Sequence, residues 1–291
     1  MKIVLMNGGL GNQLFQYAFY RYIQIATNDI CYIDDSAFWG NNIEHNGFEI
    51  EKVFNIKCNL LSDFFDTDVW LEMLKRKQEG ISIPQQLLNV GIDIAVIAET
   101  EDVLFNGRII EVKSNDDLTS KHDNIYYHGY WIMEKWFEEN RELLIKELKF
   151  KEIIDNQNKM YLEYIEKKNS VAVHIRRGDF VKLGRDLDFS YYVNAIEKIE
   201  NVLNEAIYFV FSDDVDWCRE NYVKLGFEKV KNRMIFIEGN KAGEAYIDMQ
   251  LMASCKHMIL ANSSFSSFAS LLNLNPEKIV VIPTFKDRGV S

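Results

Sequence analysis

The feature that most restricts this chain is an alternation that sets in near residue 170. Five short apolar runs, Val171–Val173, Ala206–Phe211, Met234–Ile237, His257–Ala261 and Ile279–Ile282, punctuate the second half. Between them the apolar spacing predicts helices over Phe189–Leu203, Trp217–Leu225, Gly243–Cys255 and Phe268–Leu274. Strands and helices alternating at this interval imply a parallel sheet covered on both faces. Open sheets of that kind bind ligands at the carboxyl ends of their strands. The loop after each apolar run is therefore the place to look for function.

The first half opens the same way. Lys2–Met6 reads as a buried strand, Asn7-Gly-Gly-Leu-Gly-Asn-Gln13 as a glycine turn, and Leu14, Phe15, Ala18, Phe19, Tyr22, Ile23 and Ala26 as a strongly apolar helix. Ile30–Ile33 is a second strand, ending in Asp34-Asp35. Gly9-x-Gly11 and Asp34 suggest a dinucleotide fold, but Leu14 stands where the third glycine belongs. The glycines then either only make the turn or let backbone approach a ligand, with Asn12 and Gln13 pointing amides into a cleft.

Residues 36–125 are less regular. A helix around Val69–Leu74 ends near Lys75-Arg76-Lys77, where cations suit the helix dipole, and Pro84 starts another segment. Val103–Phe105 and Ile109–Ile110 are expected as short strands and Ser114–Asp117 as a loop. Ile125–Trp131 is an aromatic-rich strand, its rings destined for the core or for stacking on sugar. Glu134–Lys149 reads as one helix. Polar residues Lys151–Asn158 mark a domain boundary and lead into a linking helix up to Lys168.

The chain's 291 residues suffice for two ordinary domains or one large one. A net charge of −11 disfavours nucleic acid and anionic membrane as partners. Cys31, Cys58, Cys218 and Cys255 form no CxxC pair, so they are expected reduced and mostly buried. Met1–Met6 lacks the features of a signal peptide, and no run approaches the roughly 18 apolar residues of a transmembrane segment. These traits predict a cytoplasmic protein, with peripheral contact at the inner membrane face left open.

Three polar clusters follow predicted strands: His174-Ile-Arg-Arg-Gly-Asp179, Ser212-Asp-Asp214 and Asn262-Ser-Ser-Phe-Ser266. Arg176 and Arg177 offer rigid forks that match phosphate oxygens in pairs. Ser263, Ser264 and Ser266 precede a helix whose unpaired N–H groups favour an anion. Asp213 or Asp214 can accept from a ribose hydroxyl or a guanine edge. Together the clusters describe a nucleoside-diphosphate site. The plainer readings are an Arg–Asp ion-pair network, N-capping serines, and aspartates that cap the next helix. Asp-x-Asp pairs at Asp66/Asp68, Asp186/Asp188 and Asp214/Asp216 recur too freely to signal a metal. Arginine supplies the charge a divalent ion would give a leaving diphosphate, so no metal is expected.

Gly8-Gly-Leu-Gly-Asn-Gln-Leu-Phe-Gln-Tyr17, His174–Asp179, Phe211-Ser-Asp-Asp214 and Asn262–Ser266 resemble the α-1,2-fucosyltransferases of glycosyltransferase family 11. Gly129-Tyr-Trp131 with Trp136-Phe137 is similar to that family's central aromatic block. Ile132 departs from the family's polar residue there, and Ser267-Phe268 departs from its Trp-rich pair. The resemblance implies an α/β, GT-B-like fold, two Rossmann-like domains facing a central cleft. Residues 1–155 would bind the acceptor and 156–291 the GDP-sugar. The donor would be GDP-β-L-fucose, and the acceptor a galactose-terminated oligosaccharide or glycolipid-linked glycan, as in O-antigen biosynthesis. Transfer would invert the anomeric carbon and give an α-1,2 linkage. Arg176 would stabilise the departing GDP, while His174, Arg177 and Asp179 hold the nucleotide or brace Arg176. Ser212, Asp213 and Asp214 would lie near guanosine, and Asn262, Ser263, Ser264, Phe265 and Ser266 would cradle phosphate. Asn12, with Gly11 and Gln13, would face the reaction centre from the first domain. Two other classes stay open: a dinucleotide oxidoreductase using Gly9, Gly11 and Asp34, and a non-catalytic sugar-nucleotide-binding protein.

Overall fold

The computed structural model describes residues 1–291 other than 41, 42, 44, 101, 120, 121, 285, 286 and 288–291. Two parallel sheets organise it, one in each of two units, Met1–Lys151 and Glu152–Ser291. The fold is α/β and GT-B-like, with a Rossmann-like sheet in each unit.

In the first unit, β1 (Lys2–Leu5) is the central apolar strand and is wholly buried. β2 (Cys31–Asp34) pairs with one edge of it, Lys2 opposite Cys31. β4 (Ile125–His128) pairs with the other, Lys2 opposite Ile125, and β3 (Ala95–Ala98) lies outside β4. The order is β2-β1-β4-β3. β1 and β4 are neighbours, so the loops after them lie side by side at one sheet edge. The helix Leu10–Thr27 begins inside the glycine motif, with Gly9 as its N-cap. Leu14, Phe15, Ala18, Phe19 and Ile23 are buried on the face that the spacing predicts.

Several expectations for this unit need correction. Val103–Phe105 and Ile109–Ile110 are not strands; Ile109 makes one isolated bridge to Val96, and Val103 and Phe105 pack as side chains on the core. The edge strand is Ala95–Ala98, a buried, continuous apolar run of the kind parallel sheets use. Ser114–Asp117 is a reciprocally capped turn of helix, Asn115–Leu118. Glu134–Lys149 splits into helices Glu134–Glu138 and Arg141–Glu147 around Glu139-Asn140.

In the second unit, β5 (Ser170–Ile175) is buried along its whole length. β6 (Ile207–Ser212) and β7 (Met234–Phe236) extend the sheet to one side, β8 (His257–Ile259) and β9 (Val280–Val281) to the other. Every pairing is parallel. The order β7-β6-β5-β8-β9 reverses between β5 and β8. Asp155 caps the linking helix Asn156–Lys167 by accepting from Asn158 N at 2.8 Å. Tyr191, Tyr192, Ala195, Ile196 and Ile199, from helix Phe189–Glu200, are buried in the core with Val171, Val173, Tyr208 and Val210. The helices after β6 and β8 start earlier than the apolar spacing suggests, at Val215 and Ser264, because Asp214 and Ser263 cap them. All four cysteines are buried and free.

Candidate active site

The register puts the three polar clusters of the second unit side by side. β6, β5 and β8 are consecutive strands, so the loops after Ser212, Ile175 and Ile259 share one edge.

Arg176 is the first residue past β5. Its Nη2 donates to Asp179 Oδ1 at 2.6 Å, and its Nη1 pairs with Asp213 Oδ2 at 2.9 Å. The other Asp213 oxygen accepts from Arg177 N at 2.8 Å. One carboxylate thus ties the loop after β6 to the loop after β5. Gly178 makes this possible: a Cβ there would lie 2.5 Å from Asp213 Oδ2. Asp179 is 52% exposed and Arg176 29%, so that pair is weakly held and screened by water.

The two arginines part company. Arg177 lies 3.6 Å over the Trp217 ring, which itself stacks on Phe189, and its Nη1 pairs with Asp186 at 2.9 Å. Arg177 is held between an indole and a carboxylate and is 16% exposed, against 29% for Arg176. Arg177 anchors the loop, and Arg176 is the fork at the rim. Asp186 and Trp217 were not among the expected site residues. Asp186 belongs to an Asp-x-Asp pattern too common in this chain to single it out, and the one signal for Trp217 is its place just after the Ser212–Asp214 cluster.

His174 is the last but one residue of β5 and is 6% exposed. Burial, and then the charge of Arg176, push its pKa down to about 3. At neutral pH it is an uncharged ring beside Phe265, centroids 5.9 Å apart, not a phosphate-binding cation. Its Nδ1 is buried without a hydrogen-bond partner among the described residues.

The remaining clusters divide between scaffold and rim. Asp214 accepts from Trp217 N at 3.2 Å as a helix cap, and its own N–H donates to Ser212 Oγ at 3.0 Å. The capping reading therefore holds for Asp214, while Asp213 has the ion-pairing role. Ser263 caps helix Ser264–Leu272 by accepting from Phe265 N at 3.3 Å. Ser266 is wholly buried and donates to Ser263 O at 3.4 Å. Asn262 donates to Arg185 O at 2.7 Å, while its Oδ1 is buried and unpartnered among the described residues. Ser264 and Phe265 are half-buried in the first turn, where helix N–H groups favour an anion.

In the first unit the glycine turn is held by buried amides. Gln13 Nε2 donates to Gly8 O and to Gly47 O, both at 2.9 Å, and its Oε1 accepts from Glu49 N at 2.8 Å. Gln16 does the same for Asn7, accepting from its N and donating to its Oδ1. Gly8 adopts φ +74°, and a Cβ there would lie 2.5 Å from Asn12 Nδ2. Gln13 and Gly11 are buried, and Asn12 is half-buried in the first turn. Asp34 is wholly buried, accepting from Tyr126 OH at 2.6 Å and Ser36 N at 2.9 Å. It is therefore not placed to hold a ribose, as a dinucleotide site requires.

A further acidic residue, which no motif in the chain singles out, holds the turn after β4. Glu99, just past β3, accepts with Oε2 from the N–H groups of both Tyr130 and Trp131 at 2.7 Å. Trp131 has φ +52°, a left-handed conformation that costs about 1–3 kcal/mol and persists only where its surroundings enforce it. Asp248, half-buried on helix Ala245–Ser254, has its carboxyl raised to about 7 by burial, offset in part by the Asn240 amide at 2.7 Å. Among the described residues no three His, Cys, Asp or Glu side chains converge as metal ligands, and no helix is long and apolar enough to cross a membrane.

A profile of the family described as Glycosyl transferase family 11 matches residues 108–290. An alpha-1,2-colitosyltransferase of Escherichia coli is 30% identical over 98% of this chain and 92% of its own length. The O-antigen biosynthesis glycosyltransferase WbnK of Escherichia coli is 29% identical over 96% of this chain and 92% of its own. Among solved structures, the fucosyltransferase NodZ from Bradyrhizobium superposes with a TM-score of 0.59 at 15% identity, covering 99% of this chain and 96% of NodZ. NodZ has also been solved after soaking with GDP-fucose.

Proposed function

The chain belongs to glycosyltransferase family 11, and on that premise we propose that it moves L-fucose from GDP-β-L-fucose to the 2-hydroxyl of a terminal galactoside. The observation that carries this reading is Arg176, fixed between Asp179 and Asp213 at the strand-order reversal and one strand away from the Ser264 helix start. The second unit, Glu152–Ser291, takes the GDP-sugar, and the first, Met1–Lys151, takes the acceptor.

The chemistry follows from where charge moves. The bond between the fucose anomeric carbon and the β-phosphate oxygen breaks, leaving two electrons on the diphosphate. The acceptor oxygen bonds to the opposite face of that carbon, which inverts it to α. Donors already aimed at the leaving phosphate act mainly in the transition state, where they raise the rate. Arg176 suits that task because its ligands differ in strength. Asp179 is exposed and gives one contact, so phosphate can replace it. Asp213 is held by a second bond, to Arg177 N, and keeps the fork aimed. His174 and Phe265 form an uncharged wall beside it, and the positive end of helix Ser264–Leu272 faces the second phosphate. No carboxylate identifies itself as a base, and the departing phosphate takes the acceptor proton. Asn12 orients the acceptor through its amide. Arg176 supplies the positive charge, and turnover is independent of a divalent metal.

A second reading has a specific support: the relative at 30% identity is named for colitose rather than fucose. One experiment separates them. GDP-fucose, GDP-linked colitose and GDP-mannose are each offered with lactose and other galactosides, with and without chelator. Product is read by mass and linkage by NMR. An α-1,2-fucosyl product that survives chelation is expected. Preference for the colitosyl donor moves the assignment to the second reading, and absence of transfer from every GDP-sugar rejects both.

A further inference from the structure

We propose that Glu99 is a positioning residue for the acceptor and that Tyr130 is the ring it presents to the acceptor sugar. The inference rests on the first unit being the acceptor half and names the residues and the sugar face involved.

β1 and β4 are paired neighbours in this unit, so the turn after β4 and the glycine turn after β1 lie side by side at one sheet edge. Glu99 follows β3, the outer neighbour of β4, and reaches in from that side. Its single oxygen Oε2 holds two successive N–H groups at 2.7 Å, those of Tyr130 and Trp131. Gly129 lets the carboxylate in, since a Cβ there would lie 2.5 Å from Glu99 Cβ.

The consequence is a reversal at Trp131. With φ at +52°, its side chain turns inward and lies flat on Phe19, centroids 4.2 Å apart and planes 8° from parallel. Phe19 and Asn12 are seven residues apart on one helix, hence on the same face, about 10 Å apart along its axis. Burying Trp131 this way leaves Tyr130 standing 46% exposed at the sheet edge, with Ile132 and Met133 each 44% exposed behind it. An exposed aromatic held by a strained, clamped turn beside the glycine turn is arranged for contact, since nothing in the core needs it there.

The ligand chemistry follows. A tyrosine ring flanked by aliphatic groups stacks on a pyranose face made of C–H bonds, while its hydroxyl reaches ring hydroxyls. Galactopyranosides have such a face, because the axial 4-hydroxyl leaves the opposite side as a continuous C–H patch. Tyr130 therefore takes the apolar face of the galactoside.

The test compares Tyr130→Ala, Tyr130→Phe, Glu99→Ala and Glu99→Gln in the full-length protein. Acceptor KM, GDP-sugar KM, kcat and Tm are measured, with saturation-transfer NMR on lactose alone. Tyr130→Ala and Glu99→Ala should each raise acceptor KM about tenfold, the scale of one lost aromatic contact. Glu99→Gln should rescue in part, since its amide oxygen still accepts. GDP-sugar KM and kcat should hold. Unchanged acceptor KM in both alanine variants overturns the inference, as does a fall in Tm with parallel loss of donor binding, which marks a merely structural turn. Should the wild type transfer no sugar, the proposed function fails on its own. Lactose NMR then still decides the inference: saturation lost on Tyr130→Ala supports it, and no saturation of the wild type overturns it.

Discussion

The two sheet edges are built alike and furnished oppositely. Each sheet places its first motif on the loop after a central strand, β1 or β5, though only the second reverses strand order there, between β5 and β8. The edge after β5 carries Arg176, Arg177, Asp179 and Asp213, tied together by charge. The edge after β1 carries no ion pair in its glycine turn; backbone is held by the buried amides of Gln13 and Gln16. The difference teaches that topology fixes where a ligand sits, while the loop's donors fix what it is. Charge suits a diphosphate whose own charge rises as it leaves. Amides and an aromatic ring suit a neutral sugar, which needs direction more than attraction.

The sharpest way to break that contrast is at Arg176. Arg176→Ala, and Arg176→Lys as well, should lower turnover by about 10²–10³, because a point ammonium cannot keep the two-pronged geometry. Near-normal turnover in a folded Arg176→Lys protein, judged by circular dichroism, would remove the charged edge from the chemistry.

Next comes the aim of that fork. Asp213→Asn should cost roughly tenfold to 10²-fold in kcat, the scale of a catalytic group displaced by an ångström. Asp179→Asn should cost less, its side chain being 52% exposed and replaceable by phosphate. Equal losses from the two substitutions, in steady-state rates, would contradict the division of labour between them.

The uncharged edge predicts a different kind of loss. Gln13→Leu leaves the N–H of Glu49 and the carbonyls of Gly8 and Gly47 without their buried partner, at about 1–3 kcal/mol per unsatisfied group. Urea unfolding should register this as lower stability, and GDP affinity should not change. Weakened GDP binding at full stability would mean that the two edges are not separate in role.

The smallest effects concern pH and stability. Unfolded His174 takes a proton near 6.5 but folded His174 only near 3, so its contribution weakens the fold as pH falls from 6.5 towards 3. The slope cannot exceed about 1.4 kcal/mol per pH unit. Asp248 runs the other way: raised from 3.8 to about 7, it stabilises fully below pH 4 and loses that as pH rises through 7. Urea midpoints between pH 4 and 8 should therefore fall less steeply towards acid in His174→Gln and less steeply towards alkali in Asp248→Asn. Identical pH profiles for wild type and His174→Gln would show that the ring is not buried in neutral form.

Much of the architecture was legible because it depends on periodicity. Apolar runs of strand length, bounded by Asp, Ser and Gly, located β1, β2 and β4–β9 to within a few residues. β3 was missed because Ala95–Ala98 lies in the irregular stretch, where apolar runs too short to pair compete with it. Val103–Phe105 has the composition of a strand, but the open side of β3 is met at Val96 by Ile109, and Val103 and Phe105 turn their side chains onto the core. The polar clusters were legible as clusters, but their internal roles were not. Sequence shows Arg176 and Arg177 as equivalent, and Asp213 and Asp214 likewise. Which of each pair faces the rim depends on Trp217, Phe189 and Asp186, which arrive from distant positions.

The sequence by itself determined the parallel α/β class, the apolar strands and the three polar loops, because hydrophobic periodicity and turn chemistry act over short spans of chain. Tertiary structure alone decided strand order, and with it which loops share an edge. It also decided the neutral state of His174, the clamp on Arg177 and the grip of Glu99 on the Tyr130–Trp131 turn. Burial, ring contact and ion pairing depend on what else arrives within a few ångströms, and no local pattern in the chain encodes that.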